Sequence, residues 1–143
     1  MLHTSWLFWA LLSAFFAALT AIFTKFGVNT INADFATFIR TCVILVLVGA
    51  IAFFTKQFQS ISAISPKGLT FLVLSGIATG ASWLCYFRAM SLGQVSNVAP
   101  VDKLSVVLVA IFGVVLLGEQ LSRTNWLGIL LITVGVILVA WQK

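Results

Sequence analysis

Asp102 and Lys103 stand side by side in NVAPVDKLSVVLVAIF, residues 97–112, just after Pro100 and in a run dominated by Val, Leu, Ile and Ala. An acid and a cation in such a run can take up a proton or meet the charge of a solute. Arg40, in ADFATFIRTCVILVL, offers a second cation in the same setting, and Glu119, in LLGEQL, a second acid. SGIATGASWLCYFRAM carries Trp83 and Tyr86 three apart, hence on one helical face, with Ser82 nearby. Aromatics at that depth either pack against neighbouring helices or wall a substrate cavity. No His cluster, nucleophile–base pair, metal-ligand spacing or cofactor motif is present, so the expectation is not an enzyme.

Each charge also has a plain structural use. Asp102 near a helix start meets the positive end of the dipole, Pro100 is tolerated in a first turn, and Lys103 can extend its ammonium to the interface. Adjacent helical positions do not face each other, so Asp102 and Lys103 are expected to need separate partners. Arg40 lies about one and a half turns into its span, near enough to snorkel or to donate to helix-end carbonyls. Asp34, six residues earlier, is too far away for a helical pair. Glu119 sits at the unfavourable pole of its helix for an acid, and Arg123 four residues on offers the ordinary helical ion pair. Asp102 offsets one positive charge, so of Lys103 and Arg40 one is left for a carboxylate or phosphate on the solute. His3, alone near the start, is assigned no role.

The elements that must position these side chains follow from composition. The 143 residues are 62% hydrophobic and 8% charged, with a mean hydropathy of +1.17. Soluble domains sit near half apolar and a quarter charged, so this is a membrane chain. A span takes about 20 mostly apolar residues. The pattern predicts an all-α polytopic protein, one domain over residues 1–143, with five transmembrane helices at about 5–24, 33–55, 69–90, 95–118 and 126–141. Ser65-Pro66 is a helix-start signal, and Trp126 and Trp141 bracket the last span as interfacial anchors. Cys42 and Cys85 lie in apolar runs and read as packing. The eight basic residues are scattered singly, which leaves no nucleic-acid stripe or polybasic lipid patch. The first residues lack a basic region and a cleavage site and read as a retained helix.

Span length decides where the charges lie. Leu104 to Gly118 is 15 residues, or about 22 Å of helix. That is too short for about 30 Å of hydrocarbon. The fourth span must therefore reach back through Pro100 toward Val95, which draws Asp102 and Lys103 below the interface. An ionisable group there costs about 3 kcal/mol on insertion scales, and such groups usually line a pathway. In the third span Gly76 and Gly80 have the spacing that lets another helix approach closely. The positive-inside rule gives no orientation: Lys56, Lys67 and Arg123 fall on one side, Lys25, Arg88 and Lys143 on the other. Either the chain inserts one way on a weak bias, or it inserts both ways.

The stretch FRAMSLGQVSNVAPVDKLSVVLVAIFGVVLLGEQLSRTNWLGILLITVGVILV resembles the EamA-type repeat of the drug/metabolite transporter superfamily. The likeness lies in the proline opening the fourth helix, the LLGE ending it and the WLGILLITVGVIL of the last span. A lysine closing the first helix and the F-x-R of Phe38 to Arg40 fit as well. It covers essentially the whole chain, with Pro100 to Glu119 the specific block, and is closest to the short single-repeat branch. The resemblance implies a secondary transporter of small metabolites, often an exporter, working by alternating access. Most members carry two inverted five-helix repeats; a single repeat restores that arrangement by pairing with an oppositely inserted copy of itself or of a relative. The tied charge count suits such an antiparallel homodimer.

The expectation is therefore a multi-pass transporter in a prokaryotic plasma or inner membrane, with a small polar or amphipathic solute as substrate, the bilayer and a second copy as partners, no cofactor and no nucleic acid. A substrate cavity is expected among the first, third and fourth spans. Trp83, Tyr86, Asp102, Lys103 and Ser105 line it, Arg40 contributes a cation, Pro100 shapes the span, and Asp102 or Glu119 responds to protons. The alternative is a non-transporting membrane subunit, or half of a heteromeric transporter or lipid-linked sugar flippase.

Overall fold

In hydrocarbon a backbone must satisfy its own N–H and C=O groups, and a long apolar run does so as an α-helix. The computed structural model describes residues 6–60 and 63–141, so His3 and Lys143 lie outside the described residues. Within them are six helices and no strand: α1 Trp6–Val28, α2 Ala33–Phe54, α3 Pro66–Leu92, α4 Val95–Asp102, α5 Ser105–Leu117 and α6 Arg123–Ala140. Counting Val95–Leu117 as one, five stretches of 18 to 27 residues are long and apolar enough to cross a membrane.

Local chemistry sets the ends. Asn32 caps α2, its side chain accepting from the Asp34 and Phe35 N–H groups at 2.9 and 3.3 Å. Ser65 Oγ accepts from the Gly68 N–H at 3.1 Å, so α3 opens on Pro66, three residues before the expected Leu69. The first helix runs past Lys25 to Val28, and Lys25 finds an acceptor at the end of α3. α2 closes in a Schellman turn: Lys56 N–H bonds Phe53 O at 3.1 Å and Gln57 N–H bonds Ala52 O at 2.9 Å, with Lys56 itself at φ 55°.

The fourth span is broken. Pro100 is the sixth residue of α4, not part of its first turn, and it cannot donate to the Ser96 carbonyl. The helix stops two residues later. Lys103, Leu104, Val106 and Val107 all bond three residues back, at 3.0 Å, before α5 resumes the α-helical path. This is a tight 3₁₀ passage inside a span, the kind of interruption that marks a hinge or a site.

The helices group into two units. One is Thr24–Ser91, holding the end of α1, all of α2 and nearly all of α3. Its buried residues are Thr24, Val28, Ala36, Thr37, Phe87 and Met90, gathered where α1 and α3 end and α2 begins. The other joins residues 6–23 to 92–141, and there α6 packs along α4 and α5. In no span is more than 11% of the most apolar stretch buried within the chain. Leu45, Leu116 and Leu117 are each more than 70% exposed. Such surface requires lipid or another chain against it.

Candidate functional site

In the unit Thr24–Ser91, two contacts fix how α2 and α3 lie. Near the start of α2, Asp34 accepts from Arg88 near the end of α3, Nε to Oδ1 at 2.9 Å and Nη2 to Oδ2 at 2.7 Å. This fork-to-fork pairing is the strong form of an Arg–carboxylate contact. Further in, six residues along α2 and five back along α3, the Arg40 guanidinium carbon lies 4.3 Å from the Trp83 ring centroid and 5.4 Å from that of Phe87. The two helices are therefore antiparallel, and Arg40 rests on an aromatic wall by cation–π attraction. Phe87 is buried at 3% exposure, and Arg40, Trp83 and Tyr86 are half-buried. At the same end as the ion pair, Lys25 Nζ donates to Met90 O at 2.8 Å, tying α1 to the end of α3.

The other unit handles its charges differently. Lys103 Nζ donates to Asp102 Oδ2 at 3.1 Å. The expectation of separate partners is thus corrected. Asp102 is the last residue of α4 and Lys103 its C-cap, so the helical divergence of neighbours does not continue through the break, and the long lysine stem can fold back. Ser105 is exposed and opens α5, where the cap position is Leu104 with no side-chain cap bond.

Glu119 stands at the end of the fourth span as expected, but without the helical pairing with Arg123. α5 ends at Leu117, Gly118 takes the left-handed φ of 70°, and Gly113 O accepts from the N–H groups of both Gly118 and Glu119. The chain folds back on itself, and a Cβ on Gly113 would stand 2.8 Å from Glu119 Oε2. Glu119 and Arg123 then no longer share a helix, and no ion pair joins them among the described residues.

The structure thus brings Arg40 and Trp83 together, with Tyr86 one turn away and its ring 6.4 Å from Phe87. Asp102 and Lys103 neutralise each other, and Arg40 serves neither helix-end carbonyls nor Asp34. Gly76 and Gly80 are open: no neighbouring atom lies within 4 Å of a Cβ placed on either. From the sequence Arg88 is an interfacial charge and Lys25 the residue closing the first helix. Their partners are 54 and 65 residues away, a distance local spacing cannot bridge.

Compared with known proteins, residues 4–141 match the model of the EamA-like transporter family. A relative from Sinorhizobium sp., named "Uncharacterized transporter in cobO 3'region", is 60% identical over 136 residues, covering 95% of this chain and 96% of its own length. "Protein RarD" of Salmonella typhi is 24% identical over 89 residues, which is 61% of this chain but 30% of RarD. No solved structure matches the chain.

Proposed function

This chain belongs to the EamA-like transporter family, and from that premise we propose that it is a secondary active transporter, exporting small polar or amphipathic metabolites by alternating access as an antiparallel homodimer in a prokaryotic plasma membrane. Transport by a multi-pass membrane protein follows from the family and the five apolar spans. The dimer rests on one observation, the odd number of spans in a single repeat. Two copies inserted oppositely would rebuild the inverted pair of repeats that transporters of this architecture use. The open Gly76–Gly80 face and the largely unburied spans supply surface for the second copy. The broken fourth span supplies a place where a helix can bend during the cycle. Of the site residues, Arg40, Trp83 and Tyr86 serve as solute contacts. Asp102, Lys103 and Ser105 act at the break, with Pro100 and Glu119 shaping the two ends of that span.

The test is topology combined with reconstitution. A C-terminal tag should be open to protease in both right-side-out and inverted vesicles, and the purified chain alone should move solute in liposomes. A tag exposed on one face only, in an active protein, removes the antiparallel dimer. A chain that needs a second polypeptide to transport is a subunit or half of a heteromer.

A further inference from the structure

The unit Thr24–Ser91 contains five basic residues and one acid. The acid, Asp34, is committed through both its oxygens to Arg88. Lys25 is committed to the Met90 carbonyl, and Lys56 and Lys67 lie outside or at the very end of the apolar stretches. That leaves Arg40. Its guanidinium donates no hydrogen bond and joins no ion pair among the described residues, although it lies within a span. In the other unit Asp102 is taken by Lys103.

An aromatic face attracts a cation but accepts none of its hydrogen bonds in the guanidinium plane. Arginine over a ring therefore keeps its planar fork of N–H donors available, in a fixed direction, for two oxygens at once. Depth argues in the same direction. A snorkelling arginine on α2 would reach toward the start of that helix. The shallower ring beside it is Phe87, one turn closer to the end of α3 than Trp83. Yet the guanidinium carbon is nearer Trp83, at 4.3 Å against 5.4 Å. The charge is held inward, against the deeper ring.

We infer that Arg40, seated on Trp83 and Phe87, is a subsite for an oxyanion, a carboxylate or phosphate group that supplies the counter-charge this unit lacks. The inference names a substrate class for the transport reading and rests on it in that respect. A lipid headgroup offers the same phosphate chemistry as a free solute, so the source is a matter for the test.

The test reads binding, without any gradient or transport, and so stands or falls separately from the dimer. Full-length protein is placed in phosphatidylcholine nanodiscs, and its thermal midpoint is followed as sodium benzoate or sodium phosphate replaces sodium chloride at constant ionic strength. A bound anion stabilises the folded state by mass action. A saturable rise is expected with at least one of the two, and Arg40→Gln should weaken the apparent affinity about tenfold or more, the loss expected of a charge-assisted hydrogen bond. Arg40→Lys keeps the charge and loses the fork; it should weaken binding too, and it carries the test if the Gln variant does not fold. Trp83→Phe should retain more affinity than Trp83→Leu, which a merely electrostatic role for Arg40 would not require. If neither salt acts but phosphatidylglycerol in the disc stabilises the protein in an Arg40-dependent way, the oxyanion is the lipid's. If Arg40→Gln and Arg40→Lys respond as the parent does, or if no anion or anionic lipid acts, the subsite does not exist.

Discussion

Two pieces of this chain place cations inside apolar helices and solve the resulting problem in opposite ways. In the fourth span Lys103 sits beside its own counter-ion at a break in the helix, and the pair is self-contained. On α2, Arg40 pairs with no acid among the described residues and leans on Trp83 and Phe87. Charge inside a membrane protein is tolerated when it is paired, wetted or used. The fourth span takes the first course, and its structural novelty lies in the interrupted backbone rather than in the charges. On the second and third helices the cation's neighbours are aromatic rings, and among the described residues no ion pair includes it. A charge inside a span therefore says little about function until its partner is known.

The sharpest way to break this contrast is to reverse charges on both sides of it. Asp102→Lys combined with Lys103→Asp keeps an adjacent pair, so membrane expression of a fluorescent fusion should stay near the parent level. Asp102→Asn alone strands Lys103 and should lower it. Arg40→Glu should be the most damaging of the three. It sets an acid against the electron-rich face of Trp83 with no cation to receive it, at an insertion cost of about 3 kcal/mol. Equal expression of the exchanged pair and Arg40→Glu would mean that neither site discriminates charge. Poor expression of the exchanged pair alone would return Asp102 and Lys103 to separate partners.

A smaller effect is expected where α5 ends. Gly113→Ala places a Cβ 2.8 Å from Glu119 Oε2. The obstacle is the tip of a flexible side chain, so the carboxylate swings away. Alanine also favours the helix by about 1 kcal/mol over glycine. The thermal midpoint should therefore change little. A large loss of stability would show that Glu119 is a rigid closing element of the span.

Much of this was legible beforehand, and the limits were physical. Five spans follow from apolar run lengths, and the resemblance carried by Pro100 to Glu119 pointed to the right family. Arg40 and Trp83 were both picked out, one by charge and the other by aromatic spacing, but nothing local says that positions 43 apart in sequence will stack. That depends on the register of α2 against α3, which Asp34 and Arg88 set from opposite ends of the unit's sequence. The pairing of Asp102 with Lys103 is hidden for a different reason. Regular helical geometry does not extend through Lys103 and Leu104, because Pro100, lacking an N–H in the interior of α4, weakens the helix there.

The smallest effect belongs to Lys56, a third way of placing a cation, in the turn just past Arg40's helix. Among the described residues its side chain makes no ion pair or cation–π contact, and it occupies the left-handed position of the turn that closes α2, at φ 55°. A residue with a Cβ costs about 1–2 kcal/mol there relative to glycine. Glycine's extra freedom in the unfolded chain returns about 0.5–1 kcal/mol of that difference. Lys56→Gly should therefore raise the thermal midpoint by about 1–3 °C, on the scaling for a chain of this size. Lys56→Ala keeps the backbone conflict and should give no rise. Both substitutions also leave two basic residues, Lys67 and Arg123, facing three on the opposite side, Lys25, Arg88 and Lys143. The positive-inside rule then favours a cytoplasmic C-terminus. Both variants should shift a C-terminal tag toward that face to the same degree, while only the glycine variant gains stability. If the tag distribution is unmoved by either, the three-against-three balance does not set orientation. If alanine stabilises as much as glycine, the benefit comes from losing the charge and not from the turn.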